Sequence, residues 1–255
     1  MYETITIETT EKVVWLTLNR PESRNALNQK MCKEITRACE TITSDPNVHV
    51  VVIQGAGPAF CAGADLKERQ NMSVEEMLAR RVEGFTAYAS IEALPMPVIA
   101  VVDGPAYGSG AEIAASCDFI IASKKASFKY PEVGWGTVGA TQRLPRIVGA
   151  RMAKELLFTG RTVDATEAKL LGLVNQVFDE QDLLEMARVT AASIAKNNPI
   201  TTRLTKRSID NGLESTRQGA MAIELLAIQE NLRHGDWKKA LAAFGQKTER
   251  IGHDA

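Results

Sequence analysis

Two glutamates and two glycine-bearing loops carry the chemistry this sequence offers. Glu112 closes the segment G-P-A-Y-G-S-G-A-E (104–112), and Glu132 stands in F-K-Y-P-E-V-G-W-G-T-V-G (128–139). The first falls in the opening turn of the helix expected after the glycines, where a carboxylate suits the positive end of the helix dipole although its neighbours are nearly all apolar. Pro131 holds the second in an irregular segment among apolar residues, a setting that raises a carboxyl pKa and suits proton transfer near neutral pH. The other loop is A-F-C-A-G-A-D-L-K-E (59–68). Each loop is read between a buried strand and a helix N-terminus, where backbone N–H groups have no intrahelical acceptor. On neighbouring parallel strands the loops would meet at the carboxyl edge of the sheet, where open α/β folds bind ligands. Two converging N–H donors there make an oxyanion hole, and an acid and a base beside it point to chemistry through an enolate. Either glutamate alone is equally compatible with a helix-terminal or surface position; the joint pattern carries the reading.

Other chemistries are ruled out by the letters. G-A-G-P-A-F (55–60) has phenylalanine where a dinucleotide fingerprint needs its third glycine, and no G-x-x-x-x-G-K-[ST] occurs. Ser109 lacks the G-x-S-x-G frame of a nucleophile elbow. His49, His234 and His253 are too scattered for a metal site, so no metal is expected. Cys32, Cys39, Cys61 and Cys117 form no C-x-x-C pair and read as reduced thiols packed as small hydrophobes. The net charge of −1 opposes a dominant polyanion-binding surface, so no nucleic acid is expected. No basic leader precedes an apolar run, and no window approaches the ~20 apolar residues of a membrane span. A cytoplasmic protein without membrane attachment is the expectation.

The elements that must position these groups follow from periodicity. Residues 4–8 and 13–18 read as consecutive strands, and a helix from Asn28 sets Met31, Ile35, Ala38 and Ile42 on one face. Aliphatic runs at 48–53, 98–102 and 119–122 read as buried strands alternating with helices, the pattern of parallel pairing. An amphipathic helix spans 74–94 with Ser73 as its N-cap. Beyond 149 strand signals almost vanish apart from 173–178, and helices are read at 182–196, 200–211, 216–232 and 237–247. The expected organisation is an α/β core over 1–195 and a helical C-terminal region over 196–255.

Taken together, L-N-R-P-E-S-R-N-A-L-N (18–28), the loops at 55–68 and 100–118, P-E-V-G-W-G (131–136), T-Q-R-L-P-R-I-V-G (141–149) and the segment 157–175 resemble the crotonase superfamily of enoyl-CoA hydratases and isomerases. The resemblance implies an α/β fold built as a crotonase-like spiral of ββα units with a C-terminal helical trimerisation region, assembled as a trimer or as a hexamer formed by a dimer of trimers. It implies oxyanion-hole amides at Ala64 and at Ser109, where relatives usually carry glycine. It places coenzyme A on the backbone of Ala62, Ala64, Asp65, Leu66 and Lys67, with help from Arg24, Ala26 and Leu27. It further implies that Phe244 and Lys247, in A-A-F-G-Q-K (242–247), cover the CoA of a neighbouring subunit.

In hydratases of this family the first glutamate, here Glu112, activates water and the second, Glu132, delivers a proton to Cα; the simpler isomerases use only the second. The pair therefore implies an enoyl-CoA hydratase that needs no metal or redox cofactor and takes the CoA thioester as substrate. The alternatives are a Δ3,Δ2-enoyl-CoA isomerase, a specialised hydratase of aromatic or alicyclic acid degradation, and, from another class, an RNA-binding relative using T-R-L-T-K-R (202–207). One departure bears on the acyl pocket: W-G-T-V-G-A-T-Q-R-L is shorter than the family loop by about three residues and lacks its proline. Trp135, where leucine is usual, either shapes that pocket or fills core.

Overall fold

The computed structural model describes residues 2–234 together with 237, 238 and 241. The chain divides into two compact units, Met1–Ile194 and Ala195–Ala255. In chain order the first unit carries β1 (Ile5–Thr10), β2 (Val13–Leu18), α1 (Gln29–Thr43), β3 (Val50–Gly55), α2 (Leu66–Arg69), α3 (Val74–Glu92), β4 (Val98–Val102), β5 (Pro105–Tyr107) and α4 (Ser109–Ala115). It continues through β6 (Phe119–Ser123), β7 (Ser127–Lys129), α5 (Arg143–Val148), α6 (Ala150–Thr159), β8 (Thr162–Asp164), α7 (Ala165–Leu170), β9 (Gln176–Phe178) and α8 (Glu180–Ala195).

The main sheet has the order β1-β2-β3-β4-β6-β9. Only the β1–β2 hairpin is antiparallel; β2 to β9 pair in parallel, as alternation of strands with helices requires. All five residues of β4 are buried, which is why that strand reads as a continuous aliphatic run. Helix α1 begins where the Asn28 side chain accepts the Met31 N–H, and it buries Met31, Cys32, Ile35, Ala38, Cys39 and Ile42. All four cysteines are free and buried.

A second sheet, β5-β7-β8, crosses this pattern and was not legible in the sequence. Its strands are three residues each, too short for a periodicity to register. Helix α3 also departs from expectation. Ser73 and Glu76 form the capping box, but the apolar side chains Val74, Leu78, Val82 and Phe85 are exposed. Arg80, Gly84, Ala87, Tyr88 and Ile91 are buried in their place.

The second unit contains α9 (Pro199–Leu213) and α10 (Arg217–His234). Asn198 caps α9 by accepting from Ile200 and Thr201, and Pro199 opens it, where a missing N–H costs nothing. The two helices pack together with Leu204 and Ala227 buried, and a groove of about 610 Å³ runs along them past Ile209 and Met221. Most of the helix read at 237–247 lies outside the described residues. None of the described helices is long and apolar enough to cross a membrane.

Candidate active site

The second sheet is what brings the two glycine loops together. Cys61 N–H donates to the Pro105 carbonyl at 3.1 Å, and Tyr107 N–H donates to the Cys61 carbonyl at 3.0 Å. On the far side Leu27 N–H donates to Gly63 O at 2.8 Å and Asp65 N–H donates to Leu27 O at 2.9 Å. In this parallel bridge the residues flanking Ala64 hold Leu27, so the N–H of Ala64 itself points the other way. Ser109 opens α4 directly behind Gly108, whose φ of 48° belongs to the region that favours glycine. As the first helical residue, Ser109 has no intrahelical acceptor for its N–H. Ala64 and Ser109 line one cavity of about 90 Å³ together with Ala62, Gly108 and Glu132.

Both glutamates reach this place. Glu112 is 6% exposed and Glu132 9%, and both line a smaller cavity of about 20 Å³ that shares Ser109 with the first. Glu112 Oε2 accepts from Arg143 Nη1 at 3.2 Å, while Glu92 holds the same guanidinium through Nε at 2.6 Å and Nη2 at 2.7 Å. Glu112 Oε1 and Glu132 Oε2 are buried and have no hydrogen-bond partner among the described residues. Gly139 makes room for Glu132: an added Cβ there would stand 2.8 Å from Glu132 Cγ.

Burial pushes the carboxyl pKa of Glu112 up, opposed by Arg143 and reinforced by the charge of Glu132. Burial also pushes Glu132 up, opposed by its own backbone N–H and by Arg81 and Arg69. Cys61, beside the site, has its thiol pushed up to about 12 by burial and is no nucleophile.

The Glu132 shift has a sign in stability. A carboxyl whose pKa is higher in the folded chain than in the unfolded one costs stability as pH rises through the unfolded value, and the whole cost is present above the folded value. Glu132→Gln is therefore expected to raise Tm near neutral pH. The gain should vanish near about pH 4, where the unfolded carboxyl is itself largely protonated. Scanning calorimetry at the two pH values checks it; a Tm difference independent of pH would contradict the assignment.

The residues expected to hold coenzyme A occupy two adjoining segments. Ala62 N–H donates to Arg24 O at 2.9 Å, which ties the R-N-A-L stretch to the A-G-A-D stretch. Arg24, Ala62, Leu66 and Lys67 are exposed, Ala26 and Ala64 are half-buried, and Leu27 is fully buried. The Asp65 carboxylate is already engaged: it caps α2 at Lys67 and Glu68 and pairs with Arg20 at 3.0 Å. Phe244 and Lys247 lie outside the described residues. Trp135 is 67% exposed and lines the larger cavity beside Thr137, so it does not fill core. In the basic stretch 202–207, Arg207 is paired with Glu230.

Four arginines were missed. Arg143 lies in the T-Q-R-L-P-R motif, but nothing in its spacing signals a contact with Glu112, 31 residues away. Arg80, only 1% exposed, pairs with Glu68 at 3.2 Å and donates to the Leu27 carbonyl, fixing the segment that bridges Ala64. Arg69 and Arg81 line both cavities.

Residues 8–251 match the family model described as enoyl-CoA hydratase/isomerase. The chain is 40% identical over 250 residues to a crotonyl-CoA hydratase of Syntrophomonas wolfei, covering 96% of both chains. It is also 40% identical over 252 residues to a short-chain-enoyl-CoA hydratase of Clostridium acetobutylicum, covering 97% of both. The crystal structure of an enoyl-CoA hydratase from Bacillus anthracis superposes with a TM-score of 0.93 at 38% identity, covering 96% of this chain and 97% of that one. With two buried glutamates and two glycine loops around a pair of cavities that share Ser109 and Glu132, and with matches over nearly the whole length, the chain belongs to the enoyl-CoA hydratase/isomerase family.

Proposed function

We propose that this site adds water reversibly across the double bond of a 2-enoyl-CoA. The observation that carries the reading is that Glu112 and Glu132, both buried, line one small cavity with Ser109. One acid and one base are what hydration needs, whereas moving a double bond needs only one shuttle. The thioester carbonyl sits between the N–H groups of Ala64 and Ser109, which stabilise the enolate as charge develops on its oxygen. Glu112 takes the proton of the attacking water, Arg143 opposing the neutralising effect of its burial, while Glu132 donates to Cα. The roles need no metal or redox cofactor; coenzyme A arrives as part of the substrate, along Arg24–Leu27 and Ala62–Lys67. The names carried by the Syntrophomonas and Clostridium relatives support a short acyl chain, as does a cavity of about 90 Å³.

The test is the loss of conjugated-thioester absorbance when crotonyl-CoA is added to the protein. Production of that absorbance from a 3-enoyl-CoA, with crotonyl-CoA left untouched, would replace hydration by isomerisation. A trimer or a dimer of trimers belongs to the same reading and is supported by exposed Leu213, Met221, Leu225 and Leu232 on the helical unit. Light scattering should then give three or six times the 27.8 kDa chain mass. Four free buried cysteines support a reducing, cytoplasmic setting, which a disulfide found by mass spectrometry of the native protein would contradict.

A further inference from the structure

Guanidinium groups are an unexpected lining for a site that accepts a plain short acyl chain, and three of them cluster here. Arg80 is fully provided for by Glu68 and the Leu27 carbonyl. Arg69 and Arg81 are not. Both line the oxyanion cavity, with Ala64 and Ser109, and the smaller cavity, with both glutamates. Arg69 Nε is buried without a hydrogen-bond partner among the described residues. Arg81 donates to Thr137 Oγ1, in the shortened loop after Glu132. Neither arginine forms an ion pair among the described residues. Glu132 lines the same cavities but pairs with neither, and cations held in a partly dry wall without an ion-paired anion are costly, so the arrangement is one that an incoming anion completes.

The direction of the substrate says which part of it that anion is. Ala64 and Ser109 fix the thioester carbonyl, and the exposed backbone of 62–67 leads the coenzyme outward. The acyl group then runs the other way, past Glu132 toward Thr137 and Trp135, the wall that Arg69 and Arg81 share. A cavity of about 90 Å³ is roughly three water volumes, room for a short chain only. We infer that the site, read as a 2-enoyl-CoA hydratase, takes a short acyl chain that ends in a carboxylate, bound by Arg69 and Arg81.

The chemistry of the proposed hydration agrees with this. Burial and the neighbouring charges of Arg80 and Arg81 push the Arg69 guanidinium below its usual pKa, the mark of cations crowded together. Arg81 and Arg69 pull the Glu132 carboxyl down, against its role as a proton donor. A substrate carboxylate that engages them removes that pull, leaving burial to keep Glu132 protonated at the moment Cα needs its proton.

The competing destination for these arginines is a phosphate of coenzyme A, and two saturated thioesters separate the two. Glutaryl-CoA and valeryl-CoA share the coenzyme and the carbon count, differ in the terminal carboxylate, and cannot be hydrated. Titration calorimetry on the full-length protein is expected to show glutaryl-CoA binding about 10–100-fold more tightly, the worth of a charge-assisted hydrogen-bonded pair. Arg69→Met and Arg81→Met should each bring the ratio of the two dissociation constants toward one. A wild-type ratio at or below one overturns the inference. So does equal weakening of both thioesters in the variants, which would assign the arginines to the coenzyme. If one variant fails to fold, the wild-type ratio and the other variant still decide. Loss of absorbance from glutaconyl-CoA and crotonyl-CoA reports separately on hydration: if neither reacts, the hydratase reading falls while the binding ratio still judges the carboxylate pocket. Failure of both thioesters to bind overturns both.

Discussion

Glu112→Gln and Glu132→Gln are each expected to lower kcat for hydration of a 2-enoyl-CoA by about 10²–10⁴, the usual worth of one general acid or base. Glutamine keeps the shape and the hydrogen bond that Arg143 Nη1 makes to Oε2 at 3.2 Å, so the loss reports on proton transfer and not on collapse of the site. Both groups line one cavity, and in the proposed mechanism they act on one water, so the double variant should be little worse than the poorer single one. The pH profile assigns the roles. With Glu112 as base, the acidic limb of kcat/KM follows its carboxyl, which lies above the usual range. With Glu132 as acid, the alkaline limb follows Glu132, also raised by burial, and Glu132→Gln should abolish that limb. Arg143→Gln removes the cation that opposes the burial of Glu112 and leaves Glu92 without its bidentate partner. It should shift the acidic limb upward in pH, and Arg143→Lys should restore part of the shift. Stopped-flow rates across pH decide; a kcat within about threefold of wild type in either glutamine variant would remove that glutamate from the mechanism.

What the sequence discloses about this site depends on how local each signal is. The Asn28 and Ser73 caps and the buried run of β4 are legible because capping and period act within a few residues. The two loops are legible for the same reason, and so are the glutamates that follow them. The sheet β5-β7-β8, which sets the loops side by side, is not, because its three-residue strands have no period and its Cys61–Ala106 bridge joins segments far apart in the chain. Arginines pose a different difficulty. The charged letters at 80 and 81 look alike, yet Arg80 turns inward to Glu68 and the Leu27 carbonyl while Arg81 reaches Thr137. That inward turn is also why α3 defeats the amphipathic reading. With Arg80, Gly84 and Tyr88 on its buried side, Val74, Leu78 and Val82 are left facing out. Trp135 was ambiguous for the related reason that residue type alone does not separate a pocket wall from a core.

Gly110→Ala is expected to cost kcat about 10² and stability about 1–3 kcal/mol. A Cβ on Gly110 would stand 2.2 Å from the Cys61 carbonyl oxygen, 2.8 Å from Cys61 Cβ and 2.9 Å from its carbonyl carbon. Contacts this short need a displacement of about 1 Å before the atoms cease to overlap. The carbonyl cannot swing away, because it accepts the Tyr107 N–H at 3.0 Å while the Cys61 N–H is held by Pro105 at 3.1 Å. The first turn of α4 must therefore retreat from the 61–64 loop. That turn carries Ser109 and Glu112, and the loop carries Ala64, so one methyl group separates the two proposed oxyanion donors and draws Glu112 away from Glu132. Misplacement by about 1 Å is enough to cost two orders of magnitude in rate. The neighbouring change Ser109→Ala is the contrast. It removes the side-chain hydroxyl but leaves the backbone N–H in place, so kcat should fall by less than about tenfold. Rates and melting temperatures of the two variants side by side make the comparison. If Ser109→Ala were the more damaging, the oxyanion contact would run through the side chain and the backbone assignment at Ser109 would be lost.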